Sequence, residues 1–501
     1  MLALPQYQVV KQLYYESVHS IIYRSIREQD NEPVILKMLK EEYVSPEELS
    51  RRKQEYEIIT SLSHPGIIKA YGIERYQHTI ILILEYFGGN SLQRIMENQR
   101  VTVQEFFPLA LQLADSLAYI HAEGIIHKDI SPDNILVNQE TNQLKITDFG
   151  SASRLLYETP SLQNPERLQG KLAYLSPEQT GRINRRIDCR ADLYSMGIIF
   201  YELLTGHLPF QSLDALELVH AHIAKVPFPV YKVAPHIPRI LSDIVMKLLR
   251  KNADERYQSA FGVKADLERC HNNLSKLQNK PTFSFLLAQD DMSERFQIPQ
   301  KLYGREREIN TLLQAFERVC QGQKELMLVT GYSGVGKTAL INEVHRPMTS
   351  KKGYFLVGKF DQVQNNTPYP GIATAYDTFC RYLLMENEEV LAKWRDKMLT
   401  ALGDHAQILI ELIPTLELII GPQPVVPKVE VTEAKNRFTL FFIKFIKSLC
   451  DKEHPIILFI DDLQWADSDS LLLLKRIITE SKVKYLFIIV SYRDNEVDSI
   501  H

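Results

Sequence analysis

The stretch of residues 125–151 restricts the fold of the first half of this chain more than any other part of the sequence. It contains two short apolar runs, typical of a strand hairpin, with one polar loop before them and another after them. Asp129 lies in the first loop, Asn134 follows five residues later, and Asp148 opens an Asp-Phe-Gly triplet in the second. A single loop aspartate is usually a turn former. A carboxylate that can accept a hydroxyl proton, followed in this order by two oxygen ligands suited to Mg²⁺, instead predicts a site for phosphoryl transfer.

The same stretch resembles the catalytic and metal-binding loops of eukaryotic-type protein kinases. The resemblance runs over about Tyr7–Cys270, roughly the first half of the chain. It implies an α+β fold of two lobes, with ATP and Mg²⁺ as ligands. It also implies that Asp129 is the catalytic base and that Asn134 and Asp148 hold the metal.

Lys37 closes an apolar strand, Pro-Val-Ile-Leu-Lys, and matches the kinase lysine that pairs with the ATP phosphates. The family partner is a helix glutamate, and Glu55 lies at the family spacing within a helical pattern over Glu47–Leu62. Glu57 is a rival, but the helical period turns it about 200° away from the face of Glu55. The sequence therefore predicts a Lys37–Glu55 ion pair, with an exposed lysine at a strand end as the alternative.

The resemblance fails at the loop between the first two strands, where protein kinases carry three glycines. This chain has Tyr-Glu-Ser-Val-His-Ser at Tyr15–Ser20, without a glycine. Glycine lets backbone N–H groups approach a phosphate closely, and Glu16 adds a repelling charge. The hydroxyls of Ser17 and Ser20 are candidate replacements, or they are ordinary turn residues. Two hypotheses therefore remain: an active kinase, and a pseudokinase that binds partners.

Two further departures lie close together in the kinase fold. Serine/threonine kinases usually carry a lysine two residues after the catalytic aspartate, where this chain has Ser131. They carry a threonine shortly before the A-P-E box, where this chain has Lys171. A cation near the transferred phosphoryl group stabilises the charge of the transition state. We expect the Lys171 ammonium to reach towards Asp129 and to supply that charge. The alternative is that Lys171 points into solvent.

The resemblance assigns four more residues. The turn-rich connection after the strand Ile80–Leu84 is similar to the hinge between kinase lobes, so the backbones of Glu85 and Phe87 are expected to meet the adenine. The Ser-Pro-Glu triplet that ends at Glu178 is similar to the A-P-E box, and Arg256 is placed to pair with it. A bidentate pair of this kind would be structural.

The second half of the chain carries a separate phosphate-binding motif. The apolar strand Leu326–Val329 leads into GYSGVGKT, the full G-x-x-x-x-G-K-[ST] pattern between a strand and a helix. The loop amides and the helix N-terminus favour a triphosphate. Lys337 would reach its outer phosphates, and the Thr338 hydroxyl would ligate Mg²⁺. The loop glycines in this pattern are Gly331, Gly334 and Gly336.

A second apolar strand in this half ends in two acids, Asp461 and Asp462. Asp461 suits the magnesium shell, and Asp462 could orient a water molecule. Arg493 follows the next apolar strand and is a candidate nucleotide sensor. Alternating strands and helices predict a parallel sheet with the nucleotide at its carboxyl edge. The domain resembles AAA-like signalling NTPases of the STAND class, and we expect the helical lid of such ATPases to be absent.

A chain of 501 residues is too long to fold around a single hydrophobic core, so more than one domain is expected. We expect a kinase domain at 1–270, a linker at 271–300 with an apolar docking patch at Phe283–Leu287, and an incomplete ATPase domain at 301–501. The net charge of −4 gives no indication of a nucleic-acid partner. Five scattered cysteines favour reduced thiols. Without a secretory signal or a run of about 20 apolar residues, the sequence predicts a cytoplasmic protein with no membrane span.

The order of a kinase, an FQIPQKLYGRE junction and a P-loop ATPase resembles large bacterial, especially cyanobacterial, multidomain kinases. Sensor and histidine-kinase modules follow in those proteins, so this chain is expected to match only their first part, as a truncated product or a fragment. The resemblance implies an ATP- and Mg²⁺-dependent serine/threonine kinase coupled to a nucleotide switch. Protein substrates and downstream signalling modules are the expected partners. The alternatives are a pseudokinase, or a chain in which only the P-loop domain turns over nucleotide.

Overall fold

The computed structural model describes most of the chain in two folded parts. The described residues are 6–16, 20–39, 46–76, 79–154, 172–181, 186–212, 214–273, 284–291, 304–332, 334–344, 348, 351, 353–360, 368–384, 388–427 and 429–493. No helix within these ranges is both long enough and apolar enough to cross a membrane.

The first lobe is a five-stranded antiparallel sheet in the order β1-β2-β3-β5-β4 with one helix against it. Its elements are β1 (Tyr7–Glu16), β2 (Ser20–Arg27), β3 (Glu32–Leu39), α1 (Pro46–Ser61), β4 (Ala70–Tyr76) and β5 (Thr79–Glu85). The apolar run of β5 is buried because it lies between β3 and β4 and faces a core on both sides. Lys37 pairs in register with Leu82 of β5, so the lysine projects from the middle of the sheet.

The second lobe is helical and carries a small three-stranded sheet, β6-β7-β8. Its helices are α2 (Leu92–Asn98), α3 (Val103–Ala122), α4 (Arg190–Thr205), α5 (Ala215–Ala224), α6 (Val230–Val233), α7 (Arg239–Leu248) and α8 (Ala260–Asn272). Its strands are β6 (Asn90–Ser91), β7 (Ile135–Asn138) and β8 (Gln143–Ile146). A capping box between Thr102 and Glu105 fixes the start of α3. Helix α4 is buried along almost its whole length and forms the centre of the lobe.

Two buried arginines tie the loops of this lobe together. Arg256 donates from both terminal nitrogens to the carboxylate of Glu178, over 2.6 and 2.8 Å. Arg190 makes a similar forked contact with Asp188 and reaches Asp254 at 2.8 Å. Such planar, charge-assisted pairs fix geometry as well as charge. The predicted Glu178–Arg256 pair is therefore present in the structure.

The segment 284–291 folds back onto the helical lobe. Phe285 and Leu287 pack against its core, whereas Leu286 is 72% exposed and Phe283 lies outside the described residues. The carboxylate of Asp291 accepts hydrogen bonds from the backbone N–H of Gln258, the backbone N–H of Ser259 and the Ser259 hydroxyl, over 2.7–2.9 Å. Its negative charge thus lies at the N-terminus of α8, where a helix favours anions. We call residues 284–291 the docked segment.

The second domain is built on a parallel sheet in the order β10-β11-β12-β9, as the alternation of strands and helices predicted. The strands are β9 (Lys324–Thr330), β10 (Tyr354–Lys359), β11 (Ile456–Asp461) and β12 (Leu486–Tyr492). The helices are α9 (Glu306–Cys320), α10 (Lys337–Asn342), α11 (Pro370–Leu383), α12 (Glu388–Leu402), α13 (Gln407–Ile410), α14 (Leu416–Ile420), α15 (Val431–Leu449) and α16 (Ser468–Thr479). Apolar cores cover both faces of β11, so its continuous apolar sequence is explained.

The effect of Gly262→Ala on stability tests whether Asp291 of the docked segment packs against α8. The substitution should be destabilising when Asp291 is present and stabilising when its side chain is removed. A Cβ atom at Gly262 would lie 2.4 Å from Asp291 Oδ1, so Gly262→Ala should displace Asp291 and lower the free energy of unfolding by about 2 kcal/mol. In an Asp291→Gly background, which removes Oδ1, Cγ and the Cβ of Asp291 that would lie 2.6 Å away, the clash is gone. Alanine should then stabilise α8 by about 1 kcal/mol, its ordinary advantage over glycine. Hydrogen–deuterium exchange of the α8 amides measures both effects in the full chain.

Asp290→Ala is the matched control for Asp291. Asp290 is more than half exposed, and its ion pair with Arg269, 2.8 Å long, is of the surface kind that contributes about 1 kcal/mol or less. Equal loss of α8 protection in Asp290→Ala and Asp291→Ala would show that the docked segment does not hold the helix through Asp291.

Candidate active and nucleotide sites

The ion pair between Lys37 and Glu55 lies inside the first lobe. Lys37 Nζ is 2.7 Å from Glu55 Oε1, and the two residues are 6% and 2% exposed. Glu57, two residues further along α1, is exposed, as the helical period requires. A charged pair this deep is fixed in place, because either partner alone would be a costly buried charge.

Asp148 completes a second contact of the same lysine. Its Oδ1 lies 2.8 Å from Lys37 Nζ, and its backbone has a left-handed φ of 63°. That conformation turns the chain sharply after β8 and directs Asp148 towards the sheet of the first lobe. Gly150 follows in close contact, since a Cβ there would lie 3.3 Å from Asp148 Oδ1 and 3.7 Å from Glu55 Oε2. Lys37, Glu55 and Asp148 thus form one cluster from three separate elements, in which Lys37 and Glu55 are buried and Asp148 is partly exposed.

The loop that carries Asp129 is held by Asp192, a residue in the first turn of helix α4. Asp192 Oδ1 and Oδ2 accept from the backbone N–H groups of Lys128 and His127, at 2.7 and 2.9 Å. Burial alone would raise the pKa of Asp192, but hydrogen bonds and the charge of His121 outweigh it and hold the pKa below its usual value. The Asp192 carboxylate therefore stays ionised and anchors the loop.

His127 and Asn134 set the position of the Asp129 backbone. The Asn134 side-chain amide donates to the Asp129 carbonyl at 2.8 Å, and the Asp129 N–H donates to His127 Nδ1 at 3.3 Å. Burial lowers the pKa of His127, which keeps the ring neutral, with Nε2–H donating to the Thr147 carbonyl. The Thr147 N–H in turn donates to the Asn134 carbonyl at 2.9 Å. Asn134 directly precedes β7 and Asp148 follows β8 by two residues, so both lie at the same end of this pair of strands.

The connection between the two lobes, which is the predicted hinge, is held by contacts with neighbouring residues. The Glu85 carboxylate is already engaged by Lys145 Nζ, at 2.5 Å, and by the Lys69 N–H, at 2.9 Å. The Phe87 carbonyl accepts from the Asn138 side chain at 3.1 Å. These contacts fix the connection between the lobes.

Two of the sequence-predicted features remain partly outside the described residues. Ser17 and Lys171 both lie there, so the structure contains no information on the Ser17 hydroxyl or on the predicted exchange of charge. Ser131 is described and is 5% exposed, directly before a short 3₁₀ turn that begins at Pro132.

Arg52, which sequence reasoning did not single out, contacts Glu55 Oε2 at 2.7 Å. Its position three residues before Glu55 was an available signal, since such residues share a helix face.

The P-loop of the second domain is built by glycines in conformations that other residues avoid. Gly331, Gly334 and Gly336 have φ values of 145°, 81° and 88°. Lys337 Nζ donates to the carbonyls of Gly331, at 2.7 Å, and Tyr332, at 3.0 Å. Thr338 is exposed at the start of α10. The lysine therefore folds over the loop in which a phosphate would be held.

The two acids after β11 lie in different surroundings. Asp461 accepts a hydrogen bond from the Ser491 hydroxyl on β12. Asp462, with a φ of 56°, contacts Arg493 Nε at 3.3 Å, Gln464 Nε2 at 3.0 Å and Lys359 Nζ at 4.0 Å. Both acids lie at the carboxyl edge of the sheet, because Lys359 and Asp461 pair in register at the ends of parallel strands. Sequence reasoning missed Ser491, Gln464 and Lys359, although Ser491 and Lys359 each end a strand of this sheet.

Two family models match the chain, one for each domain. The protein kinase domain model matches residues 17–266, and the AAA ATPase domain model matches residues 301–489. The matched ranges contain the Lys37–Glu55–Asp148 cluster and the P-loop, respectively.

Three curated proteins illustrate the similarity. Hybrid signal transduction histidine kinase G of Dictyostelium discoideum is 33% identical over 459 residues, which cover 75% of this chain and 13% of that protein. A probable serine/threonine-protein kinase of Clostridium perfringens is 32% identical over 252 residues, 50% of this chain and 36% of that protein. Serine/threonine-protein kinase PrkC of Bacillus subtilis is 30% identical over 238 residues, 47% of this chain and 36% of that protein.

The chain thus spans little more than a third of the two bacterial relatives and about an eighth of the Dictyostelium protein. The bacterial similarities cover about half of this chain, whereas the Dictyostelium similarity extends over three quarters of it. Taken with the geometry of the two sites, these matches show that the chain carries a protein kinase domain of the serine/threonine type followed by an AAA ATPase domain.

Proposed function

We propose that this chain transfers the γ-phosphate of ATP to serine and threonine hydroxyls of proteins, and that its AAA domain acts as a nucleotide-dependent switch on that activity. The assembled cluster of Lys37, Glu55 and Asp148 supports the proposal most directly. In an inactive kinase lobe the lysine and the helix glutamate are separated, whereas here they are 2.7 Å apart.

Each residue of the first site has a role that its position permits. Lys37 would bind the α- and β-phosphates, and Glu55 would keep its ammonium in place. Asp129, on a loop fixed by Asp192, would accept the proton of the attacking hydroxyl. Asn134 and Asp148 are oxygen donors that fit Mg²⁺, which when bound would neutralise charge on the phosphate oxygens. The backbones of the hinge residues Glu85 and Phe87 would meet the adenine.

The second site is suited to binding nucleotide and to slow turnover. Gly331, Gly334 and Gly336 shape the loop, Lys337 would bind the outer phosphates, and Thr338 and Asp461 fit a magnesium shell. Asp462 would orient the attacking water, but its carboxylate already contacts Arg493 at 3.3 Å and Gln464 at 3.0 Å. These contacts have to rearrange before Asp462 can bind a water molecule, so long-lived ATP binding is expected, which suits a switch.

A pseudokinase is the second candidate, and the glycine-free loop Tyr15–Ser20 favours it. Such a domain would bind partners and report to the ATPase without transferring phosphate. The buried ion pair of Lys37 and Glu55, with Asp148 in contact with the same lysine, favours the active kinase, because a binding module has no need to hold such a charged pair in a low-dielectric site.

The similarity to a hybrid histidine kinase supports a place in signal transduction. We propose protein substrates and histidine-kinase or sensor modules, in the same chain or in another, as the partners of this unit. In large bacterial multidomain kinases, including those of cyanobacteria, a serine/threonine kinase, an ATPase and a histidine kinase would be joined in one chain. The free cysteines of the described residues support a reducing compartment such as the cytoplasm.

Two single substitutions distinguish the contribution of the kinase site from that of the P-loop site. Asp129→Asn should lower phosphotransfer from ATP labelled in the γ-phosphate by at least about 10³-fold, because the proton acceptor and its charge are lost. Lys337→Ala should leave most phosphotransfer intact but reduce the number of bound nucleotides, measured by calorimetry, from two to one per chain. Lys324→Ala serves as the control on the same domain, since Lys324 donates to backbone carbonyls far from the P-loop.

Loss of all phosphotransfer in Lys337→Ala would mean that the AAA nucleotide is required for the kinase reaction. Unchanged phosphotransfer in Asp129→Asn would remove Asp129 from the mechanism. A chain that binds two nucleotides and transfers no phosphate in any form would support the pseudokinase.

The proposed exchange of charge between Ser131 and Lys171 has a separate test. Lys171→Thr should lower the phosphotransfer rate by about 10²-fold, since one lost charge donor at such a site typically costs about 3 kcal/mol. Adding Ser131→Lys should restore most of the rate, because it returns the cation to its usual place in the family. Unchanged or higher activity in Lys171→Thr alone would contradict the exchange.

A further inference from the structure

Arg52 is an unusually buried cation on the helix that carries Glu55. It is 5% exposed, whereas its neighbours Arg51 and Lys53 are exposed. Charged side chains are rarely buried to this extent unless specific partners compensate for lost water. Arg52 has two such partners on different elements: Glu55 Oε2 lies 2.7 Å from its Nη1, and Ser20 Oγ lies 3.3 Å from its Nη2.

The Glu55 carboxylate therefore serves two cations at once. Lys37 Nζ binds Oε1 and Arg52 Nη1 binds Oε2, each at 2.7 Å. Lys37 also contacts Asp148, so two positive and two negative charges balance in the described structure. If Asp148 turns to a metal ion, the cations around Glu55 exceed its single charge. Two like charges close together in a buried site favour the arrival of an anion such as a phosphate.

Ser20 places the other end of this contact at the phosphate loop. It is the first residue of β2 and follows directly on Ser17–His19, which lie outside the described residues. Its side chain is buried, and its backbone pairs in register with Leu39 of β3. The contact with Arg52 therefore fixes the start of β2 against α1, next to the Glu55 carboxylate.

We propose that Arg52 is a positioning residue for ATP in the kinase reaction: it clamps the end of the phosphate loop, at Ser20, to the Glu55 carboxylate that holds Lys37. The proposal rests on the proposed kinase function. The planar guanidinium holds Nη1 and Nη2 at a fixed separation, so that each donates to a different partner in a set geometry, which the freely rotating ammonium of lysine does not provide.

A double-mutant cycle between Arg52 and Ser20 tests the clamp. The full chain carries Lys337→Ala, so that only the kinase site binds nucleotide. Arg52→Lys and Ser20→Ala should each raise the KM for ATP, and the Kd for ATP with Mg²⁺ measured by calorimetry, by about tenfold, with kcat changed less than about twofold. The double variant should be no worse than either single one, since both remove the same contact. Arg51→Lys, on the exposed side of α1, should change neither constant.

Several outcomes would overturn the clamp. Additive effects of the two substitutions would show that Arg52 does not act through Ser20. A fall in kcat and in Tm without a change in KM or Kd would assign Arg52 a merely structural role. If no form of the chain transfers phosphate, the proposed function fails, but the calorimetric cycle still decides the clamp. Coupled Kd values would then support it, and uncoupled values or absent binding would refute it.

Discussion

The shared carboxylate of Glu55 is the contact on which the first site depends. It joins α1 to β3 through Lys37 and, through the same ammonium, to the Asp-Phe-Gly turn at Asp148. Three elements far apart in sequence therefore meet at one buried charge. Because either charge alone would be costly at this depth, the geometry is held as a unit rather than contact by contact. Movement of α1 away from the sheet would separate Glu55 from Lys37 and leave the lysine with Asp148 alone.

The two sites illustrate what a sequence can and cannot reveal. The P-loop was predictable because its glycines, lysine and threonine follow a fixed spacing between a strand and a helix. Lys37 and Asp129 were predictable only through the resemblance to protein kinases, and Lys37 lies inside β3 rather than at its end. The parallel sheet followed from the alternation of strands and helices. The contacts of Asp462 with Arg493 and Lys359 were not predictable, since they join the ends of three strands whose order in the sheet depends on tertiary packing. No local pattern records which side chains will meet across that edge.

The two domains handle their charges in opposite ways. In the kinase domain the lysine that would bind phosphate is held by carboxylates, so it is in position before ATP arrives. In the AAA domain Lys337 folds onto carbonyls of its own loop, and Asp462 is held by cations. The first arrangement favours rapid chemistry once substrate binds. The second requires contacts to break first, as expected of a site whose occupancy, rather than its turnover, carries information.

The docked segment extends the fold of the kinase domain beyond the residues that the family model matches. The kinase family model stops at residue 266, but the fold includes Asp291, which holds the backbone at Gln258 and Ser259. That backbone leads directly to Arg256, the partner of Glu178. Asp291, after which the chain continues towards the AAA domain, is therefore hydrogen-bonded to Gln258, which lies two residues along the chain from Arg256. A force transmitted along the chain beyond Asp291 would act first on its hydrogen bonds to Gln258 and Ser259, and so next to the ion pair that holds Glu178.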